Sequence, residues 1–151
     1  METDKLREFL ETQHILQIAP AAGDPWIANV LFVNDGPTKL YFVGNRERLY
    51  AQLLLKDPRL AFATAWTAEN DHLNRKGVQG VGQAYVLEDP VEIRSVIELY
   101  NKTFADFTDQ VTEDKIRFDD TGSCIWGIKA EFIKFWNDEL YGLNGSKKFA
   151  F

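Results

Sequence analysis

Residues 14–44 constrain the fold more tightly than any other stretch of this chain. The segments "HILQIAPAAG" and "PWIANVLFVNDG" are two apolar runs separated by Gly23-Asp24-Pro25, and "NDGPTK" turns the second into a third run, "KLYFVG". Apolar, β-branched runs bounded by Gly, Pro, Asn and Asp read as strands joined by turns. Connections this short permit only antiparallel neighbours, because a parallel crossover needs a dozen residues or more. The chain therefore opens on an antiparallel meander, and the remaining strands must complete its sheet.

Three later segments do so. "RLAFATAW" (59–66) and "GVQGVGQAYVLED" (77–89) read as the fourth and fifth strands, and "SCIWGIKAEFIKFW" (123–136) as a sixth strand or a bent pair. Gly77, Gly80 and Gly82 inside the fifth mark a bulge or a barrel bend. Their G-x-x-G-x-G order, within a strand, excludes a dinucleotide fingerprint. Helices are expected in three places. Thr3 is a candidate N-cap for one carrying Leu6, Phe9 and Leu10. A second, "RERLYAQLLLKD", starts after Asn45 as cap and stops at Pro58, which cannot continue it. In the third, Asp89 is the N-cap, Pro90 sits at N1 and Glu92 at N3, a capping-box variant, with Val91, Val96, Ile97, Tyr100 and Phe104 forming the apolar face. Residues 67–76 read as a polar loop, and Glu113, Asp114, Asp119 and Asp120 as a solvated connection. The tail "GSKKFAF" reads as a loosely held end whose two Phe residues point to some docking. With no repeat or linker in 151 residues, the order predicts one domain, residues 1–151, of α+β, mainly β class: a small antiparallel barrel of six strands with flanking helices.

Charge narrows the function. Lys and Arg number 17 against 23 Asp and Glu, a net −6, which speaks against nucleic acid or an anionic membrane as partner. The one cysteine, Cys124, allows no internal disulfide, and "METDKLREFL" has no apolar signal region, so a cytoplasmic location is expected. His14 and His72 lack ligand spacing, so no metal is expected. Cys124, beside Ile125 and Trp126, reads as a buried structural thiol. No Gly-x-Ser-x-Gly elbow is present, and no catalytic side chain is assigned.

The stretch "NRERL" (45–49) is where chemistry concentrates. A helix N-terminus presents unpaired amides and the positive end of a dipole, and arginine adds a fork suited to phosphate oxygens. Arg46 and Arg48 after Asn45 thus either hold a phosphate or solvate a turn in which Glu47 offsets their charge. Trp26, Trp66, Trp126 and Trp136 fall near predicted strand ends, where a planar ring system would meet them, although aromatics favour strands and cores in any case.

Three patterns in order, "PWIANVLFV" with "KLYFVGN", "RERLYAQLLLKDPRLAF", and "GVQGVGQAYVLEDP", followed by "WGIKAEFIKFW", resemble the pyridoxamine 5'-phosphate oxidase-like family of FMN-binding split barrels over about residues 5–140. The resemblance is to the general-stress-protein-like branch rather than to true pyridoxamine phosphate oxidases. It implies a homodimer of six-stranded split barrels with two FMN sites between the subunits. It also implies FMN-dependent oxidoreductase chemistry on a small-molecule substrate that remains unidentified. Carried over residue by residue, it makes Asn29, Asn45, Arg46, Arg48, Gln52 and Trp136 the cofactor-binding candidates, with Arg48 on the family's Arg. The family's Ser falls on Glu47 and its Lys on Leu49. The second-strand Arg and Lys of the pyridoxamine phosphate oxidases fall on Ala28 and Val33, which implies that this particular activity is lost. The alternative is a split barrel that has lost FMN and takes another small molecule, such as a tetrapyrrole, or a protein partner.

Overall fold

A computed structural model describes residues 2–108, 111–118 and 122–151. Helix α1 (Glu2–Thr12) buries Leu6, Phe9 and Leu10 and is followed by β1 (Ile15–Pro20), β2 (Ala28–Asp35) and β3 (Lys39–Asn45). Then come α2 (Leu49–Lys56), β4 (Arg59–Thr67), β5 (Arg75–Val86), α3 (Pro90–Thr103), a 3-10 turn at Ala105–Phe107, α4 (Glu113–Phe118), β6 (Ser123–Asn137), α5 (Asp138–Tyr141) and β7 (Ser146–Ala150). All pairings are antiparallel, in the order β3-β2-β1-β4-β5-β6-β7, and β3 also pairs with β6. Six strands therefore close on themselves as a split barrel, and β7 pairs with β6.

The closure depends on β6. Its first half pairs with β3, from Asn45↔Ser123 to Lys39↔Lys129, its second half with β7, and β5 follows it along nearly its whole length. The β5–β6 register shifts between Val81 and Gly82, the bulge expected of a glycine-bearing strand at a barrel bend. A Cβ at Gly82 would run into the Lys129 carbonyl, so glycine is required there by close backbone approach.

Period-two alternation sorts the side chains. Leu16, Ile18, Phe32, Leu40, Phe42, Trp126, Ile128, Ile133 and Phe135 fill the interior, each under 2% exposed, and Tyr50, Ala51 and Leu54 of α2 close one end. On the outer face, Val33, Tyr41 and Ile125 are covered by Ile93, Val96, Ile97 and Tyr100 of α3. Glu92 pins that helix by accepting hydrogen bonds from the Tyr41 and Tyr85 hydroxyls at 3.3 and 3.4 Å.

Several expectations are corrected. The tail is a strand, not a loose end: Phe149 is buried in the core and Lys147 pairs with Glu2. Thr3 lies inside α1 rather than capping it. Val91 points to solvent, 71% exposed, and Ile93 takes its place on the apolar face. Trp126 is a core residue, stacked on Phe42, because its inward position on β6 lies well inside the barrel. Glu113 and Asp114 lie on α4 rather than in a loop, while Asp119 and Asp120 fall outside the described residues. The polar loop is shorter than expected, since β4 runs through Thr67 and β5 starts at Arg75. Among the described residues, no helix is long and apolar enough to cross a membrane.

Candidate functional site

The β2–β3 ladder runs from Asp35↔Lys39 to Phe32↔Phe42 and stops. Continued in register it would set Asn29 opposite Asn45, but β2 goes on with β1 and β3 with β6, so the strands splay there. The turn into α2 lies at this split. It begins with Asn45, whose Oδ1 accepts from the Glu47 amide at 2.8 Å while its carbonyl accepts from the Arg48 amide at 3.1 Å. Asn45 is thus the head of an Asx-type turn and not the helix cap. The Arg46 amide donates to the Gly122 carbonyl at 3.0 Å, and Gln52 Nε2 donates to the Arg46 carbonyl at 2.6 Å.

The cap position falls to Arg48, whose side chain makes no capping hydrogen bond, and the first helical bond runs from the Gln52 amide to the Arg48 carbonyl at 3.0 Å. The amides of Leu49, Tyr50 and Ala51 consequently have no acceptor within the helix. Among the described residues, neither Arg46 nor Arg48 forms an ion pair. Beneath the turn, the Tyr50 hydroxyl occupies the space a side chain at Gly44 would need, and the Cys124 thiol donates to the Gly44 carbonyl at 3.5 Å. Burial pushes that thiol's pKa up and outweighs the lowering effect of Arg46, so Cys124 stays protonated and structural.

The other two candidates lie on the outer face. Cross-strand partners share a face, so Asn29, Gln17, Ala63, Gln79, Lys134 and Lys148 form one row across the sheet. Gln17 donates to Asn29 at 3.0 Å within it. Beside it runs an apolar row, Ala19, Ala61, Val81, Phe132 and Ala150, continued by Ile27. Gln17, Ala63, Gln79 and Lys134 of the first row and Ala19, Ile27, Ala61, Val81 and Phe132 of the second line a groove of about 420 Å³, to which no helix among the described residues contributes. Trp136 lies in a third row on the same face, between Gly77 of β5 and Ser146 of β7, four strands round the sheet from β2. The structure thus joins Asn45, Arg46, Arg48 and Gln52, places Asn29 beside the split, and sets Trp136 apart. The apolar row escaped the sequence reading, yet "RLAFATAW" carries its signal: Ala61, Ala63 and Ala65 alternate with Leu60, Phe62 and Thr64. Beyond Arg59 at its start this strand carries no charged residue on either face, the pattern of a strand covered on both.

Trp136 belongs to a polar cluster that the sequence did not reveal. Asp138 accepts from Arg75 Nε at 2.8 Å, from Trp136 Nε1 at 3.2 Å and from the Asn144 amide at 2.8 Å, and the Arg75 guanidinium lies 4.9 Å from the centre of the indole. The hydrogen bond from Arg75, above all, holds the Asp138 carboxyl below its ordinary value of 3.8, against the effect of burial. A lowered carboxyl pKa contributes stability that is complete above the unfolded value and is lost as pH falls through the folded one. Urea titrations across pH 2–5 (about the carboxylate range) are therefore expected to show a shallower acid decline for Asp138→Asn than for the natural chain.

The sequence model of the pyridoxamine 5'-phosphate oxidase family matches residues 2–137. The chain belongs to that family. In fold, this member of the pyridoxamine 5'-phosphate oxidase family is similar to a heme binding protein from Mycobacterium smegmatis (TM-score 0.77, 18% identity), covering 99% of this chain and 58% of that one. It is similar to General Stress Protein 26 from Bacillus anthracis (TM-score 0.68, 14% identity, 99% and 98% covered). It is also similar to the heme storage protein HutZ of Vibrio cholerae (TM-score 0.64, 17% identity, 86% and 88% covered). At these identities the likeness is one of fold. A comparison with curated protein sequences found no match.

Proposed function

We propose that this chain is an FMN-binding flavoprotein, a cytoplasmic homodimer with oxidoreductase activity toward a small molecule not yet identified. The β3–α2 junction carries the reading: two arginines without ion-pair partners among the described residues stand at the start of α2, whose first amides have no acceptor within the helix. Cations at a helix N-terminus oppose its dipole unless an anion joins them, so this arrangement fits a phosphate. Arg46, Arg48 and the amides of Leu49, Tyr50 and Ala51 are the groups that would hold it. Among the described residues of this turn, Glu47 is the opposing charge; its side chain is exposed and its amide is committed to Asn45. FMN, when bound, supplies hydride and single-electron chemistry. The chain's own residues bind the phosphate, present the outer face of β2 with Asn29 to the ring, and exclude water.

Membership of the family supports this reading. The dimer is supported by exposed apolar surface, with Ile27 62%, Val81 48% and Phe132 37% exposed along one uncovered face. A second copy on that face would withdraw the row from water, and Trp136, remote from Arg46 in its own subunit, would reach the ring from the second copy. The buried free thiol of Cys124 fits a reducing compartment. Pyridoxamine phosphate is not the substrate proposed: Ala28 and Val33 offer no charge, and Val33 is buried beneath α3.

A tetrapyrrole is the second reading. Two neighbours in fold are a heme binding protein and a heme storage protein, and the same arginines suit propionate carboxylates. The visible spectrum of the purified protein, followed by titration with FMN and then with heme, separates the two. Saturable FMN binding, with flavin bands and twice the chain mass in sedimentation, is the expected result. Heme binding without FMN binding would overturn it in favour of the second reading.

A further inference from the structure

We infer that Asn45 and Gln52 do not touch the bound phosphate but orient the arginine pair, by clamping the peptide between Arg46 and Glu47 at both of its ends. This inference rests on the phosphate reading of the β3–α2 junction. In a trans peptide the carbonyl and the N–H lie in one plane and point opposite ways. Here the carbonyl end accepts from Gln52 Nε2 at 2.6 Å and the N–H end donates to Asn45 Oδ1 at 2.8 Å. A plane tied at both ends cannot flip.

That plane lies between the two guanidinium-bearing residues. The torsions on either side of it set how the Arg46 side chain leaves the turn relative to Arg48, and where the Glu47 carboxylate goes. Gln52 sits one turn inside α2, and its own amide holds the Arg48 carbonyl at 3.0 Å. One residue therefore ties both arginine positions to the rigid helix. The other end of the turn is anchored by Arg46 N–H to the Gly122 carbonyl and by Asn45 paired with Ser123 on β6. The spacing of the cations is a property of helix and sheet, transmitted through two amide side chains. Two arginines on an untied turn would have to be ordered by the ligand itself, at a cost in affinity.

Gln52→Met tests this, since it keeps the side chain's length at an exposed position and removes the donor. The full-length variant and the natural chain are titrated with FMN and with riboflavin, which lacks the phosphate, and their thermal midpoints are compared. FMN affinity is expected to fall about five- to tenfold, because the ligand must then order the turn itself, with riboflavin affinity unchanged and the midpoint lowered by no more than about 4 °C. An FMN-to-riboflavin ratio equal to that of the natural chain would overturn the orienting role and leave the phosphate reading intact. Equal weakening of both ligands together with a lower midpoint would overturn it too, in favour of a merely structural role. If the natural chain itself binds FMN no better than riboflavin, the phosphate reading fails and the orienting role falls with it.

Discussion

Replacing Phe42 with alanine is expected to lower the thermal midpoint by on the order of 10 °C, far more than a substitution on the barrel's surface would. The ring is fully buried, stacked on Trp126 with centroids 6.2 Å apart and edge-on to Tyr50 at 6.0 Å. Deleting a buried phenyl group costs about 3–5 kcal/mol, because transfer energy is lost and a cavity remains. One kcal/mol moves the midpoint of a domain this size by about 2–4 °C. The damage should reach the candidate site, since Tyr50 belongs to α2 and Phe42 precedes Gly44 and Asn45 by a few residues on β3. Thermal and urea denaturation measure the stability; an unchanged midpoint would mean that the interior collapses onto the gap.

The second large effect is on binding. Arg46→Ala with Arg48→Ala is expected to reduce FMN affinity by about a hundredfold or more, since each hydrogen bond to a charged group is worth roughly 1.5–3 kcal/mol. Riboflavin binding and folding stability should hardly change, because both side chains are exposed and neither forms an ion pair among the described residues. The affinity should also fall with added salt in the natural chain more than in the variant. A double variant that retains its FMN affinity would place the phosphate elsewhere on the barrel.

Much of the barrel is legible in the sequence because its signals are local. Alternating apolar residues, Gly23-Asp24-Pro25 and Pro58 locate strands and breaks without reference to the rest of the chain. The α3 cap is legible for the same reason: Asp89 does accept from the Val91 amide, at 3.1 Å. Features that depend on partners distant in sequence are not. Glu92 has the spacing of a capping-box residue, yet its carboxylate meets Tyr41, which only the barrel brings near. "SKKFA" lacks the apolar alternation of a central strand, but an edge strand carrying lysines suits solvent on one side. At the junction, residue types mark the turn but not which way each side chain faces. Asn45 and Gln52 resemble ligand contacts because both are polar and near Arg46 and Arg48. The structure turns both toward the backbone, which spacing alone does not reveal.

The triple engagement of β6 has a consequence during synthesis. While the ribosome has delivered only β1 to β5, the sheet is open, with β3 and β5 as bare edges that other chains can pair with. Neither edge is sealed until Ser123–Asn137 has left the exit tunnel and reached back to Lys39–Asn45. Nascent chains arrested before β6 should therefore be protease-sensitive and prone to associate. Those arrested after it clears the tunnel, on an added C-terminal linker, should resist cleavage, because Ser123–Asn137 pairs with both open edges at once.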